Sequence, residues 1–366
     1  MPPIERLDVA TYTVPLEEPE SDGTFTWTET TVVVVEPWAG GTTGLGFSYA
    51  TGACAPLVRQ VLAPAVVGAE ALDPPGVWRE MVGAIRNIGR PGVASMAIAA
   101  VDIALWDLKA RLLDLPLCRV LGMAHERVAV YGSGGFTSLT DAELAGQLGG
   151  WVHENGIPRV KMKVATAWGS AERRDVERVG VAREAIGEGA ELYVDANGGL
   201  GRKQAVRFGR AVADFGVSWF EEPVSSDDLA GLHEVRALVE ADVAAGEYGY
   251  DLAYFERMCA AGAVDVLQAD VSRCAGVSEW LRAAAIAAAH GLQISAHCAP
   301  SLHLHIACAV PNVRHLEYFA DHVRVDRLLF DGVVDPKDGS LAPDLSRPGI
   351  GLELRRADAA PYRIGD

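Results

Sequence analysis

The chain has 366 residues, of which 49% are hydrophobic and 7% aromatic, and its formal net charge is −17. This composition can form one large domain and a smaller one, and the negative charge disfavours nucleic acids and anionic membranes as partners. The six cysteines are scattered without a C-x-x-C pair, which argues against a zinc cluster or a disulfide framework. No signal peptide or membrane-spanning stretch is recognisable, so we expect a cytoplasmic protein.

The first 124 residues predict an α+β capping domain. Residues 3 to about 50 contain β-branched runs such as "TETTVVVV" followed by a glycine-rich turn, which is typical of antiparallel strands. The segment "PLEEPESDGTFTW" between these runs is predicted to be a polar loop. From about 55 to 122 the apolar residues follow helical spacing.

Short apolar strands alternate with alanine-rich helical segments between residues 125 and 320. The predicted helices include 171–187, 203–214 and 278–290. Eight strands joined in this way describe an α/β fold of the (β/α)₈ type, a modified TIM barrel. The irregular tail, 321–366, is predicted to return to the capping domain and complete it. The eight strands are predicted at 127–134, 159–164, 191–198, 217–223, 242–247, 264–270, 292–298 and 314–319.

Polar residues end seven consecutive strands of the predicted barrel. The active site of such a barrel lies at the C-terminal ends of its strands. Each of these residues alone has a structural explanation, because Asp and Asn, for example, are favoured where a strand turns into a helix. Together they predict one shared polar site. The seven residues are Lys163, Asp195, Glu221, Glu247, Asp270, His297 and Glu317.

Three carboxylates in this series indicate a metal site. Asp195, Glu221 and Glu247 end three successive strands, and converging like charges repel each other unless a cation lies among them. Oxygen ligands with room for water or substrate suit Mg²⁺. The sequence therefore predicts one Mg²⁺ ion per subunit.

The remaining residues of the series can act on protons. Lys161 and Lys163 lie one residue apart in "KMK" and should point to the same face of their strand. Asp270, on the neighbouring strand, can hold the ring of His297 in one tautomer and raise its basicity. Glu317 is expected to be protonated and to donate a hydrogen bond.

The same motifs resemble the enolase superfamily and, within it, the mandelate racemase subgroup. The resemblance covers nearly the whole chain. It includes the helical segment "SMAIAAVDIALWDLKARLLDLPL" before the barrel, and it depends on seven motifs in strand order: "KMK", "VDAN", "FEEP", "GE", "QAD", "SAHC" and "LEYF".

The resemblance implies roles for matching positions. Lys163 would be one acid/base, with a pKa lowered by Lys161 and by the metal, and Lys161 would contact the substrate carboxylate. His297, supported by Asp270, would be the second acid/base. Glu317 would hydrogen-bond the carboxylate as its charge grows, Asn197 would touch the substrate, and Asp195, Glu221 and Glu247 would bind Mg²⁺. The resemblance also implies a homo-oligomer.

These roles describe removal of the proton next to a carboxylate through an enediolate. Two bases allow dehydration of a sugar acid to a 2-keto-3-deoxy acid, which we expect, or racemisation, epimerisation or cycloisomerisation, and the motifs leave this choice open. An aldolase that forms a Schiff base on Lys163 is a more distant alternative.

The lid region indicates the substrate class. By the resemblance, two lid loops at about 15–30 and 44–55 cover the far end of the substrate. The first contains five acidic residues and no Lys, Arg or His, so a second carboxylate there would be repelled. We therefore expect a monocarboxylate of the aldonate type. Trp27, Phe25 and Tyr49 are expected either to pack against its carbon face or to belong to the core of the capping domain.

Overall fold

The computed structural model describes residues 2–365, and its N-terminal part is an antiparallel sheet packed against helices. A π-helical turn, Val58–Leu62, separates the first two helices. The strands are β1 (Arg6–Ser21), β2 (Thr26–Ala39), β3 (Thr42–Thr43) and β4 (Gly46–Tyr49), and the helices are α1 (Cys54–Leu57), α2 (Ala63–Val66), α3 (Pro74–Ala84), α4 (Val93–Leu112) and α5 (Leu117–Leu121).

Eight parallel strands then close into a barrel, because the last one pairs with the first. A 3₁₀ turn, Ala213–Phe215, precedes the fourth strand. The predicted fold class is thus confirmed. The strands are β5 (Val128–Gly134), β6 (Arg159–Lys163), β7 (Glu191–Asp195), β8 (Val217–Glu221), β9 (Asp242–Ala245), β10 (Val266–Ala269), β11 (Gln293–Ala296) and β12 (Val313–Phe319), and the helices are α6 (Asp141–His153), α7 (Glu172–Ile186), α8 (Arg202–Val212), α9 (Leu229–Arg236), α10 (Leu252–Ala260), α11 (Val277–Ala289), α12 (Pro300–Ala307) and α13 (Ala320–Leu329).

The C-terminal segment contacts both parts of the molecule. It contains β13 (Phe330–Asp331), β14 (Ser340–Leu341), β15 (Glu353–Leu354), α14 (Arg356–Ala359), a 3₁₀ turn (Ala360–Tyr362) and β16 (Arg363–Ile364). β14 pairs with β5, and β16 adds an antiparallel strand to the edge of β1. The prediction that the chain is irregular from residue 321 is wrong for α13, which is the eighth helix of the barrel. The predicted domain boundaries, 1–124, 125–320 and 321–366, stay predictions.

The first predicted lid loop is mostly a two-stranded ribbon. β1 and β2 remain paired out to Ser21 and Thr26, with a register shift between Pro15 and Glu20. Asp22 closes the turn by accepting hydrogen bonds from the backbone N–H groups of Thr24 and Phe25, as Asp does in Asx turns. The prediction of an irregular loop over 15–30 is therefore wrong outside residues 22–25. The second segment, 44–55, likewise contains β4.

Aromatic side chains close the barrel below its C-terminal mouth. Tyr131, Tyr193 and Trp219 are fully buried inside the barrel and contact one another, together with Ala244 and Val266. Filled interiors of this kind make a barrel a packed core and not a channel. The polar strand ends therefore lie above an apolar floor.

Helix α4 connects the capping domain to the tail through Asp107. This carboxylate is fully buried and accepts hydrogen bonds from the backbone N–H of Leu45 and of Ile350, each at 2.7 Å, and from Arg111 Nε at 2.6 Å. Although α4 is 20 residues long, no helix within residues 2–365 has both the length and the apolar character to cross a bilayer.

We expect Asp107→Asn to lower the free energy of unfolding by about 3 kcal/mol, because it removes one partner of a buried ion pair and points an amide N–H₂ at backbone donors. Chemical denaturation followed by tryptophan fluorescence measures this change. The matched control is Asp8→Asn, since Asp8 forms an exposed pair with Arg6 and such pairs contribute little. Equal denaturation midpoints for the two variants would contradict the proposed role of Asp107.

Candidate active site

The seven predicted strand-end residues meet at the C-terminal mouth of the barrel. Each is buried, and the most exposed, Lys163, has only 6% of its surface accessible. Charged side chains are almost never buried to this degree unless they are paired. Hydrogen bonds and ion pairs join these residues and Lys161 into a single network.

The two lysines of β6 point into the barrel together, as strand alternation predicts. Lys161 Nζ lies 2.6 Å from Glu221, 2.7 Å from Glu317 and 3.4 Å from Asp195. Lys163 Nζ lies 2.5 Å from Asp195. Both ammonium groups are therefore paired with carboxylates from neighbouring strands.

These pairs decide the charge of Lys163. Burial disfavours its ammonium form and Lys161 also lowers its pKa, but the adjacent carboxylate of Asp195 outweighs both, so the pKa is raised above its ordinary value. The sequence predicted a lowered pKa for Lys163. Lys161 does lower it, but the effect of Asp195 is larger, so the prediction is wrong for the net pKa in this arrangement of side chains. A second cation at Asp195 would weaken this pairing.

The three predicted metal ligands are arranged on adjacent strands. Asp195 lies beside Glu221 in the register of β7 and β8. Burial and the neighbouring charge of Asp195 raise the pKa of Glu221 to about 8. Burial also disfavours the ionised form of Asp195, but the ammonium groups of Lys163 and Lys161 outweigh it and lower the pKa of Asp195 to about 2. Glu221, Glu247 and His297 each place a potential ligand atom within 4.8 Å of the others.

His297 lies near carboxylates with both of its ring nitrogens. Its Nδ1 lies 2.8 Å from Asp270, while its Nε2 lies 3.2 Å from Glu247 Oε2. If the ring is neutral with its proton on Nδ1, a lone pair of Nε2 faces that carboxylate oxygen, which is buried and accepts no hydrogen bond within residues 2–365. Protonation of Nε2 resolves this juxtaposition, because the imidazolium N–H can then donate to Glu247. The buried carboxylates of Asp195, Glu221 and Glu247 supply the oxygen ligands that suit a divalent cation such as Mg²⁺.

Asp270 holds His297 in place. Its other oxygen accepts hydrogen bonds from Ser272 N–H and Oγ at 2.7 Å. Burial alone would lower the pKa of His297, but Glu247 and the hydrogen bond to Asp270 raise it. The imidazole is therefore oriented and made more basic, which is what a general acid/base requires.

Glu317 is an acceptor in this network. It accepts hydrogen bonds from Ser133 Oγ at 2.6 Å and from Cys298 N–H at 2.7 Å, and it pairs with Lys161 at 2.7 Å. Burial opposes its ionisation, but Lys161 and His297 hold its pKa well below the usual range. The expectation of a protonated Glu317 is wrong for this arrangement.

The predicted substrate-binding residues Asn197, Trp27 and Tyr49 differ in the partners that their side chains have in the structure. Asn197 follows Asp195, and its side-chain oxygen is buried without a hydrogen-bond partner in residues 2–365. Trp27 packs edge-on against Phe136 at 5.5 Å. The Tyr49 hydroxyl donates to Asp326 at 2.5 Å. Substrate contacts of Asn197, Trp27 and Tyr49 stay predictions, and the hydroxyl of Tyr49 is already engaged by the protein.

Three further residues complete the site and were not predicted from the sequence. Arg273 pairs with Glu247 at 3.0 Å and lies 3.6 Å from Asp270. Ser133 bonds to Glu317, and Cys298 Sγ lies 3.4 Å from His297 Nε2. Arg273 was detectable as a basic residue three positions after Asp270, whereas the contact of Ser133 depends on closure of the barrel.

Comparison with family models matches most of the chain. Residues 6–122 match the model described as mandelate racemase / muconate lactonizing enzyme, N-terminal domain. Residues 143–359 match the enolase C-terminal domain-like model.

Known proteins with similar sequences and structures support the same relationship. A mandelate racemase/muconate lactonizing enzyme-like protein from Rubrobacter xylanophilus is 52% identical, with a TM-score of 0.96 over 99% of this chain and 100% of the other. The 3,6-anhydro-alpha-L-galactonate cycloisomerase of Streptomyces coelicolor is 33% identical over 96% of this chain and 97% of its own. The L-talarate/galactarate dehydratase of Salmonella typhimurium is 32% identical over 96% and 89%. Its crystal structure with Mg and L-lyxarohydroxamate superimposes with a TM-score of 0.89 over 100% of this chain and 93% of the other.

Proposed function

This chain belongs to the mandelate racemase and muconate lactonizing enzyme family of the enolase superfamily, and from this we propose that it removes the proton next to the carboxylate of a sugar acid in a Mg²⁺-dependent reaction. The observation that carries the proposal is the placement of Lys163 and His297 on either side of the carboxylates. They lie on the second and seventh strands of the barrel, three strands apart through its closure. Two acid/base groups would thus reach one substrate position from different directions.

Asp195, Glu221 and Glu247 would hold the metal. Bound Mg²⁺ supplies positive charge that stabilises the negative charge developing on a substrate carboxylate. Lys161 adds a buried ammonium group, which contacts Glu221 and Glu317. These groups lower the energy of an enediolate, which is otherwise inaccessible at neutral pH.

His297, as the second acid/base group, would allow dehydration. Lys163 would take the α-proton, and His297 would donate a proton to the departing β-hydroxyl, so that water leaves and the remaining enol becomes a 2-keto-3-deoxy acid. The contact of His297 Nδ1 with Asp270 at 2.8 Å, which orients the ring, supports its role as the acid. The dehydratase and cycloisomerase among the relatives support this class of reaction and keep isomerisation as the second candidate.

The lid supports a substrate with one carboxylate. Glu20 is half-buried on the ribbon, and one of its oxygens is buried without a partner in residues 2–365. Burial and the nearby charge of Asp321 raise its pKa to about 8. Because this pKa leaves Glu20 mostly protonated at neutral pH, the repulsion of a second substrate carboxylate depends on the other acidic residues of the segment 15–30, which are Glu17, Glu18, Asp22 and Glu29.

We expect an aldonate to be turned over at least about tenfold more efficiently than any hexarate, because juxtaposed like charges are strongly unfavourable. A panel of arabinonate, gluconate, rhamnonate and galactarate with Mg²⁺ tests this by assay of 2-keto acids, with NMR in D₂O to follow exchange of the α-proton. Galactarate turnover without turnover of any aldonate would contradict the lid argument.

The same panel separates the alternative reactions. Epimer formation without a 2-keto acid would favour a racemase or epimerase. Trapping of a substrate on Lys163 by borohydride, with activity insensitive to EDTA, would replace the proposal by a Schiff-base aldolase. We also propose a cytoplasmic homo-oligomer that binds neither nucleic acid nor membrane. All six cysteines are buried and free, which supports a reducing compartment.

A further inference from the structure

The turn after His297 has an unusual backbone. Cys298 and Ala299 both have positive φ values, 48° and 42°, although side chains with a Cβ disfavour this region. Two consecutive residues of this kind persist only where the surroundings hold them. The turn carries the ring of His297, so its position affects the catalytic site.

Side chains from three elements hold this turn. Cys298 N–H donates to Glu317 at 2.7 Å. Ala299 N–H donates to His322 Nδ1 at 3.1 Å. The carbonyl oxygens of Cys298 and Ala299 lie 3.0 and 3.1 Å from His303 Nδ1. Glu317 already belongs to the site, whereas His322 lies on α13, outside the network of charges.

His322 is itself held by aromatic side chains. Its ring stacks on Tyr49 at 3.3 Å with an angle of 6° and meets the edge of Phe319 at 5.1 Å. The Tyr49 hydroxyl donates to Asp326 and lies 3.1 Å from the carbonyl oxygen of His322. Because Tyr49 belongs to β4, the capping domain contacts the catalytic turn through this stack.

The hydrogen bond from Ala299 requires a neutral imidazole. A protonated Nδ1 has no lone pair to accept it. Burial lowers the pKa of His322 to about 4, so the ring is neutral at physiological pH with its proton on Nε2. His322 is thus a constant acceptor under working conditions.

We propose that His322 is a positioning residue that fixes the 298–299 turn and so aims His297, with Tyr49 of the capping domain holding the His322 ring. This inference rests on the proposed function. It predicts that loss of the His322 acceptor impairs proton transfer by His297 and spares proton transfer by Lys163, because Lys163 lies on β6 and forms no hydrogen bond or ion pair with residues 298–299.

The test uses two substitutions with opposite defects. His322→Phe keeps an aromatic ring on Tyr49 but removes the acceptor. His322→Asn keeps an acceptor near the position of Nδ1 but removes the stacked ring. Each is combined with Lys163→Ala, where exchange of the α-proton depends on His297, and with His297→Asn, where it depends on Lys163. The probe is the member of the sugar-acid panel with the fastest α-proton exchange in D₂O.

We expect His322→Phe to slow exchange by about 10- to 100-fold in the Lys163→Ala background, since displacement of a catalytic group by about 1 Å can cost 10²-fold, and by less than twofold in the His297→Asn background. His322→Asn should restore most of the loss. Equal losses in both backgrounds, or no loss in the first, would overturn the inference.

Crystal structures of the two variants give a readout that needs no substrate. In His322→Phe the His297 ring should move away from Asp270, and in His322→Asn it should keep their 2.8 Å contact. An unmoved ring in His322→Phe would overturn the inference even if every sugar acid proved inert. Inert sugar acids with a displaced ring would instead count against the proposed function alone.

Discussion

Replacement of Glu221 by Gln is expected to reduce Mg²⁺-dependent turnover by about 10²- to 10³-fold, which is the loss seen when one preorganised electrostatic group is removed from an active site. Glu221 lies between Asp195 and the region of Glu247 in strand order, and it also accepts hydrogen bonds from Lys161 at 2.6 Å and from Trp219 Nε1 at 2.9 Å. The amide would remove a negative charge from the predicted metal site. Turnover measured across a Mg²⁺ titration, with calorimetry of Mg²⁺ binding, checks both consequences.

Glu191→Gln is the matched control for this variant. Glu191 lies at the opposite end of β7, where it pairs with Arg159 and accepts a hydrogen bond from Tyr193. We expect it to leave turnover and Mg²⁺ affinity unchanged. EDTA should abolish the activity of both the wild type and this control. Wild-type turnover by the Glu221 variant, or Mg²⁺ binding as tight as in the wild type, would contradict the assignment of Glu221 as a metal ligand.

The sequence was sufficient to predict the barrel and the residues at its mouth. Alternation within β6 places Lys161 and Lys163 on one face, and parallel strands bring Asp195, Glu221 and Glu247 to one end without knowledge of any distance. These inferences use only the local periodicity of strands and the order of β/α units. The comparisons confirmed the resemblance to the family.

The protonation states and the lid depended on contacts between distant parts of the chain. The charge of Lys163 is decided by Asp195 at 2.5 Å, and the ionisation of Glu317 is decided by Lys161. Residue types in a sequence do not fix such distances. The 15–30 segment has proline and acidic residues typical of a loop, but pairing of β1 with β2 outweighs that local preference.

The contacts of His322 show the same limit. Nothing in "ADHVRVDRLLF" marks this histidine, because its partners are Tyr49 in the capping domain and the backbone of Ala299. Burial of α13 on the eighth barrel strand brings them together. A sequence pattern indicates which residues share a face of one element, whereas the residues that hold a catalytic group in place often come from several elements.

Replacement of Lys163 by Met is expected to slow removal of the α-proton by about 10²- to 10⁴-fold, the usual contribution of a general acid/base. Met has a side chain of similar length without the ammonium group. Exchange that depends on His297 should persist, because the Lys163 side chain pairs with Asp195 and forms no hydrogen bond or ion pair with His297, Asp270 or residues 298–299. Exchange of the α-proton in D₂O, measured for both epimers of the panel substrate, separates the two paths.

Mg²⁺ binding should respond in the opposite direction. The Lys163 ammonium pairs with Asp195 and therefore competes with a metal ion for this carboxylate, so its loss should leave Mg²⁺ affinity equal to or tighter than that of the wild type. Lys203→Met, on the exposed first turn of α8, is the control and should change neither quantity. Full exchange on the face served by Lys163 would contradict its role as a base, and weaker Mg²⁺ binding in the Lys163 variant would contradict its competition with the metal for Asp195. If the Lys163 variant loses exchange but still binds Mg²⁺, then proton removal and metal binding depend on different residues at the mouth of the barrel.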